Sequence, residues 1–192
     1  MVSDFRKNIF NNAGFTLIEL LVTITVISIL SAMIFMMSNQ GEKVSLLKKT
    51  AYLLAQDIRE IQSSAMSAKG VSCGTSETKI FGLHIDRPGN SWDNSYIIFA
   101  DCNGNNLYKP NPDNDILIKK VTLKSDFDLI DVVLATGNPN NSLDITFQPP
   151  DPITTINLDN NNQEATIKVV LKDNPTQFKN IKINTAGRIQ IE

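Results

Sequence analysis

An unbroken apolar run near the N-terminus is the strongest pattern in the sequence. From Phe15 to Met37 the chain has 23 residues without Pro, Gly, Lys or Arg, and Glu19 is the one charge among them. At about 1.5 Å per residue, a helix of this length matches the roughly 30 Å hydrocarbon core of a bilayer. The pattern predicts a membrane-spanning helix over residues 15–40. A secretory signal peptide is the alternative because two basic residues precede the run, but its apolar core usually spans only about 7 to 15 residues.

Apolar residues then recur at helical spacing. The stripe, with intervals of three and four residues, consists of Val44, Leu47, Ala51, Leu54, Ile58, Ile61, Ala65 and Ala68. This spacing predicts that the helix continues over residues 41–70 with one covered face. A coiled coil would show the same spacing, but the small alanines and the strand-rich region that follows favour a helix packed on a sheet. Gly41 is a candidate weak point between the two halves.

Residues 79–192 change to short segments rich in Ile, Val, Phe and Thr, separated by clusters of Gly, Pro, Asn and Asp. The predicted strands are KIFGLHI, SYIIFA, DILIKKVTL, LIDVVLA, LDITF, TTINL, ATIKVVL, NIKIN and RIQIE. Such segments with tight turns between them predict an antiparallel sheet of hairpins. A long helix followed by this sheet is an α+β fold, in which residues 71–192 form a β-rich globular head on which the helix packs.

The composition excludes several classes of protein. The chain is 42% hydrophobic and 20% charged, which is ordinary for a globular protein. Its 18 Lys+Arg against 20 Asp+Glu give a net charge of −2, so no global basic field draws it to nucleic acid or to an anionic membrane surface. Two cysteines are too few for a disulfide scaffold or a four-cysteine zinc site.

The carboxyl group of Glu19 is the anomaly in the apolar run. A carboxylate at membrane depth costs several kcal/mol unless it is paired, which makes such a residue a functional hypothesis. No Lys, Arg or His lies within a helical turn or two of Glu19, so a cationic partner must come from another chain or from a newly made α-amino group. The alternative is a tolerated charge near the interface that extends outward to water.

The segment Gly14-Phe15-Thr16-Leu17-Ile18-Glu19 resembles the prepilin-type processing motif of type IV pilins and pseudopilins. The resemblance implies that residues 1–14 are a leader, that a prepilin peptidase cuts between Gly14 and Phe15 on the cytoplasmic face, and that Phe15 is then N-methylated. It also implies that Glu19 attracts the N-terminal ammonium of a neighbouring subunit during filament assembly.

The order of elements downstream resembles the minor pseudopilins of the GspH/FimT type. The resemblance rests on a long helix, the strands around FGLHI and IIFADCNGN, the segment DNDILIKK and the terminal IKINTAGRIQI. It implies a pilin-like fold and a subunit of a type IV pilus or type II secretion pseudopilus. Its implied partners are other pilin or pseudopilin subunits, the inner-membrane assembly platform and membrane lipid. The protein would lie in the inner membrane as a single pass with a periplasmic or extracellular head.

DNA is an alternative partner, because some members of this branch bind DNA through a C-terminal Gly-Arg-x-Arg pattern. This chain has Gly187-Arg188-Ile189-Gln190, with one arginine instead of two. Arg188, Lys182 and Lys179 are the candidate DNA contacts, since phosphate binding requires several clustered cations. The competing interpretation is solvated polar residues on edge strands. The corresponding alternative function is a membrane-tethered, DNA-binding minor pilin for DNA uptake.

Residues 101–115 carry oxygen side chains at a spacing that opens a calcium loop. Asp101, Asn103 and Asn105 occupy these positions, but Asn106 stands where an EF-hand has Gly and Pro112 where it has Glu. An EF-hand is excluded, which leaves an irregular calcium site or an Asn/Gly turn whose side chains bond their own backbone.

Cys102 lies in the same segment, and in an exported head it is expected to form a disulfide with Cys73. That bridge would close a loop of about 30 residues and stabilise the head by about 3–4 kcal/mol in the chain-entropy model.

The sequence carries no enzymatic signal and predicts no cofactor. Its single histidine, His84, falls in a strand pattern between Leu83 and Ile85, which favours a packed or exposed strand histidine over a catalytic one. There is no phosphate-binding loop, no nucleophile elbow and no His/Cys cluster. Trp92 is a candidate for a subunit contact or for covering a sheet edge.

Overall fold

The computed structural model describes residues 14–67, 70–74, 76–86, 94–111, 114–124, 127–134, 142–150, 153–156 and 164–192. The chain divides into two compact units, Met1–Glu42 and Lys43–Glu192. The predictions for the leader before Gly14, for Ala68, for Trp92 and for Pro112 lie outside the described residues.

The helix α1 spans Leu17–Met66 and includes Gly41. It begins directly after Thr16, whose Oγ1 accepts a hydrogen bond of 3.3 Å from the backbone N–H of Glu19. This is the geometry of a helix N-cap, in which a threonine side chain satisfies one of the amide groups that the first turn leaves without a partner.

Eleven strands lie in the described part of the chain. Their bounds are β1 Val71–Cys73, β2 Ser76–Thr78, β3 Phe81–Asp86, β4 Ser95–Ala100, β5 Ile116–Thr122, β6 Phe127–Leu134, β7 Ser142–Gln148, β8 Ile153–Ile156, β9 Glu164–Leu171, β10 Asn174–Asn184 and β11 Ile189–Ile191. They form a five-stranded sheet in the order β5-β4-β3-β7-β8, a four-stranded sheet in the order β11-β10-β9-β6, and the hairpin β1-β2. Each of these pairings is antiparallel.

The α+β fold class is therefore confirmed, but the expectation of one sheet of hairpins is wrong. The chain leaves the five-stranded sheet after β5 and enters the other sheet with β6, which pairs with β9 instead of a sequence neighbour. Strand periodicity identifies strands but contains no information on such non-local pairing. The β1-β2 hairpin is also absent from the prediction, because strands of three residues are too short to show a period.

The apolar stripe of α1 packs into the core of the head. Buried stripe residues are Leu47, Ala51, Leu54, Ile58, Ile61 and Ala65. They join one apolar cluster with residues of both larger sheets, such as Ile145 of β7 and Ile167 of β9. The prediction of a helix packed on a sheet, not a coiled coil, is confirmed, and the small residues Ala51 and Ala65 let the helix approach the strands closely.

A glycine in β3 shapes the opposite face of the five-stranded sheet. A Cβ atom at Gly82 would lie 2.6 Å from two ring atoms of Phe99 on β4, so only glycine leaves room for this ring to lie across the strand. The Tyr108 ring then packs on Phe99 at a centroid distance of 5.1 Å and on His84 at 5.0 Å. These ring contacts hold the loop after β4 against the sheet.

Candidate functional site: the N-terminal helix and the sites of the head

The first part of α1 has the length and composition of a membrane span. Residues Leu17–Phe35 are long and apolar enough to cross a bilayer, and none of this segment is buried inside the chain. Three of its hydroxyl side chains donate to backbone carbonyls one turn earlier: Thr23 to Leu20, Thr25 to Leu21 and Val22, and Ser28 to Ile24. Because these hydroxyls are satisfied within the helix, they add little to the cost of placing it in hydrocarbon.

Glu19 lies in the first turn of this segment. It is exposed, and among the described residues no cation lies within ion-pair distance of its carboxylate. A carboxylate in the first turn is favoured by the positive end of the helix dipole, by about 0.3–1 kcal/mol at exposed positions. The charge is therefore tolerated by its own helix and is available for a cation outside it.

Thr16 has a structural role at the candidate site that does not follow from the processing motif. It caps the helix through the amide of Glu19, and Thr16-Leu17-Ile18-Glu19 fits the capping-box pattern of Ser or Thr followed three residues later by Glu or Gln. The segment Thr16-Leu17-Ile18-Glu19 therefore belongs to the processing motif and also forms the start of the helix.

Residues 9–35 match the family model of the prokaryotic N-terminal methylation motif. The match supports a type IV pilin-like protein, a class of structural subunits, with membrane anchoring and processing by a prepilin peptidase. The matched residues do not include the head, so assignment to the GspH/FimT branch stays a prediction. Neither the curated proteins nor the solved structures gave a match.

A disulfide joins the two cysteines in the head. Cys73 at the end of β1 and Cys102 after β4 are bonded, with their Cα atoms 5.6 Å apart and a sequence separation of 29. This is the pairing that the sequence predicts. The bridge fixes the short β1-β2 hairpin to the segment 101–111, which we call the Asp101 loop.

The oxygen atoms proposed for calcium bind the backbone of the Asp101 loop. Asp101 is fully buried, and its two carboxylate oxygens accept hydrogen bonds of 2.7 Å from the amides of Gly104 and Asn106. The side-chain oxygens of Asn103 and Asn105 each accept from the amide two residues later, at 3.0 and 2.9 Å. In the described ranges, no group of three or more His, Cys, Asp or Glu residues is arranged to hold a metal ion. Calcium binding stays a prediction, and the geometry favours the Asn/Gly turn.

His84 takes part in a buried polar cluster, not in a catalytic arrangement. Its Nδ1 lies 2.8 Å from Oδ1 of Asp144, which also accepts the amide N–H of Tyr108 at 3.0 Å. Ser142 donates its hydroxyl to the other oxygen of Asp144 at 2.9 Å. A nucleophile must hydrogen-bond to the base, and here the serine and the histidine instead bond the carboxylate from two sides. The packed strand histidine of the sequence prediction is what the structure contains.

The proposed DNA contacts do not form one patch. Arg188 is exposed in the turn before β11, where Gln62 of α1 donates to the carbonyl of Gly187 at 3.0 Å. Lys182 forms a 2.9 Å ion pair with Glu192, which raises the pKa of its ammonium group and neutralises its charge locally. Because successive side chains of a strand alternate between its faces, Lys179 lies on the face of β10 opposite to Lys182. DNA binding stays a prediction that this geometry does not favour.

A polar cluster that the sequence did not reveal connects α1 to the edge of the five-stranded sheet. Tyr96 of β4 donates its hydroxyl to Oδ2 of Asp57 at 2.6 Å, and Lys119 of β5 lies 3.1 Å from both carboxylate oxygens. Asp57 sits beside the apolar stripe, and only its three-dimensional partners distinguish it from an ordinary surface carboxylate. Burial, together with the hydrogen bond from the tyrosine to Asp57, raises the pKa of Tyr96 well above its usual range.

This raised pKa predicts a loss of stability in alkali. An unfolded tyrosine loses its proton near pH 10, whereas folded Tyr96 keeps it, so above that pH the unfolded state binds fewer protons and the free energy of unfolding falls as pH rises. We expect Tyr96→Phe to be less stable by about 1–2 kcal/mol at pH 8 and to lose less stability between pH 9 and 11. Denaturant titrations of the full chain in detergent measure both quantities. Tyr52→Phe, at an exposed tyrosine of α1, is the matched control, and equal alkaline slopes for Tyr96→Phe and the parent chain would refute the assignment.

Proposed function

We propose that this chain is a minor subunit of a type IV pilus or a type II secretion pseudopilus, assembled through its N-terminal helix. The observation that carries the proposal is the methylation-motif match at residues 9–35, which coincides with an apolar helix containing one charge, at Glu19. The β-rich head has two larger sheets. This supports the role of a minor subunit, because a subunit of the filament shaft requires a less extensive β-structure. The resemblance of its element order supports the GspH/FimT branch.

In this proposal the chain has four parts: a leader (1–14), an assembly helix (15–40), the amphipathic half of the helix (41–70) and the head (71–192). Prepilin peptidase cuts between Gly14 and Phe15 and Phe15 is methylated. The leader remains on the cytoplasmic side, the helix spans the inner membrane, and the head lies in the periplasm or outside the cell. Other pilin subunits and the inner-membrane assembly platform are its partners. The protein is not an enzyme in this scheme.

Mass spectrometry of the protein extracted from host membranes tests the processing step. We expect a mature N-terminus at Phe15 carrying one added methyl group, and an unprocessed chain for Gly14→Val. A Cβ atom at Gly14 would meet nothing within 4 Å, so this substitution changes the cleavage site without a steric effect on the helix. An intact leader on the parent chain in a host with an active prepilin peptidase would contradict the proposal and favour a membrane-tethered binding domain that never polymerises.

A further inference from the structure

One edge of the five-stranded sheet is open beside α1. The strand β5 is the end strand of that sheet, and in the described part of the chain it pairs with β4 alone. Two of its apolar side chains, Leu117 and Ile118, are 48% and 46% exposed. An exposed strand edge with apolar side chains is a template for pairing with another extended segment.

The second half of β5 has the regular geometry that such pairing needs. A register shift disturbs its pairing near Leu117, but the register is continuous from Lys119 to Thr122. The ladder extends to Leu123, whose amide donates to the carbonyl of Asn94 at 2.8 Å. Since the backbone groups of successive residues point to opposite sides of an antiparallel strand, those of Thr122 point away from β4, towards the open edge.

A groove lies between this edge and α1; we call it the α1–β5 groove. It contains two cavities, and the Asp57–Lys119 ion pair lines the larger of the two. One, of about 220 Å³, has apolar walls that include Leu46, Leu53 and Val121. The other, of about 260 Å³, includes Ile61, Phe81 and Ile118. Each is smaller than the roughly 300–1,000 Å³ of typical small-molecule sites, which favours single side chains of an added strand over a compact ligand.

The charges at the groove indicate what kind of segment fits. Lys49 of α1 and Lys124 after β5 line the 220 Å³ cavity, and no carboxylate lines it. Neither lysine has an ion-pair partner in the described ranges. At the other cavity, Lys119 is already neutralised by Asp57. Lysines on an edge strand alone would be explained as protection against unwanted pairing, but Lys49 is on the helix, where that explanation does not apply.

We propose that the α1–β5 groove binds an extended, carboxylate-bearing segment of a partner subunit, which adds as a strand to the edge of β5. Backbone hydrogen bonds at Thr122 provide affinity, apolar side chains fill the 220 Å³ cavity, and a carboxylate lies between Lys49 and Lys124. That the segment belongs to a filament subunit rests on the proposed function. The binding chemistry does not, because it requires neither cleavage at Gly14 nor Glu19.

Fluorescence anisotropy tests this proposal with the full chain in nanodiscs of neutral lipid, and empty nanodiscs as the blank. The probe is a fluorescein-labelled peptide of seven residues with valine, glutamate and valine at alternate positions and serine between them, so that these three side chains lie on one face of the added strand. We expect saturable binding, weakened at least about tenfold by Lys49→Glu combined with Lys124→Glu, because two attractive pairs become repulsive. Lys48→Glu combined with Lys120→Glu is the matched control: it makes the same charge change at two lysines that do not line the cavity, and we expect an effect of less than about threefold.

Thr122→Pro separates strand addition from simple charge attraction. Proline removes an amide that points to the open edge, where it is tolerated in edge strands, and we expect it to abolish peptide binding without loss of the folded circular dichroism spectrum. Thr122→Val, which keeps the amide, should bind normally. Two results would overturn the proposal: absence of peptide binding by the folded parent chain, or peptide binding by Thr122→Pro. A third is self-association of the parent chain that Thr122→Pro abolishes, because the groove would then bind a second copy of this chain. A correctly cleaved and methylated chain that fails to bind the peptide would refute this inference and leave the proposed function intact.

Discussion

Replacement of Glu19 by alanine is expected to reduce incorporation of the chain into filaments at least tenfold, while cleavage after Gly14 and methylation of Phe15 continue. In the proposed assembly, the carboxylate and the ammonium of a neighbouring Phe15 form a pair in a low-dielectric environment. Removing one partner of such a pair costs about 3–5 kcal/mol because the other charge stays buried and unpaired, and 1.4 kcal/mol already corresponds to about tenfold in an equilibrium constant. The measurement compares the amount of subunit in sheared filaments with that in membranes.

Two further variants separate this role from the local role of Glu19 in starting the helix. Glu19→Gln removes the charge but keeps a residue type that completes a capping box with Thr16, so it should fail in assembly as alanine does. Glu42→Ala removes an exposed carboxylate from the same helix outside the apolar run and should assemble normally. Normal incorporation of the glutamine variant would show that the charge is not needed and would remove the basis of the assembly proposal.

Loss of the disulfide is expected to destabilise the head by about 3–4 kcal/mol. The bridge between Cys73 and Cys102 closes a loop with a sequence separation of 29, and in the chain-entropy model a crosslink of this length restricts the unfolded chain by that amount. The bridge also holds the β1-β2 hairpin in place. In the described part of the chain, these two strands pair with each other and with no strand of the larger sheets. Urea titrations of the full chain in detergent, followed by circular dichroism, should give this difference for the Cys73→Ala/Cys102→Ala double variant.

The reduced parent chain provides the control for the double variant. Reduction breaks the same covalent bond without changing packing at either position, so both proteins should lose similar stability. A loss of less than about 1 kcal/mol in both would mean that the unfolded chain is already restricted in this region, and the entropic account would then be wrong. A loss in the double variant alone would locate the effect in the packing of the two side chains.

The sequence predicted what local periodicity determines. The stripe of α1 and most strands follow from spacing, and SYIIFA corresponds to β4 residue for residue. The division into two sheets could not be predicted, because the pairing of β6 with β9 depends on contacts between residues far apart in the chain. The role of Asp57 as a hydrogen-bond and ion-pair partner could not be predicted for the same reason. Its partners Tyr96 and Lys119 are far from it in the sequence.

At the candidate site, the sequence predicted the residues but not their local chemistry. Gly14, Phe15 and Glu19 were singled out by a motif, whereas the cap at Thr16 was not. The residues at 101–105 are compatible with a calcium site and with an Asn/Gly turn. The hydrogen bonds from the amides of Gly104 and Asn106 to Asp101 are what favours the turn. Likewise, the sequence identifies Lys182 as a candidate DNA contact, but the structure shows that this lysine is already paired with Glu192.

The internal hydrogen bonds of Thr23, Thr25 and Ser28 have a consequence for how neighbouring spans could align. With these hydroxyls turned inward to their own carbonyls, most of the lateral surface of the span is hydrocarbon, and two such surfaces can slide past each other along the bilayer normal with little change in contact energy. The axial offset between adjacent protomers would then be determined by the position of the Glu19 carboxylate along the bilayer normal. Moving this acid by one helical turn should therefore shift the axial rise of a filament instead of only weakening it.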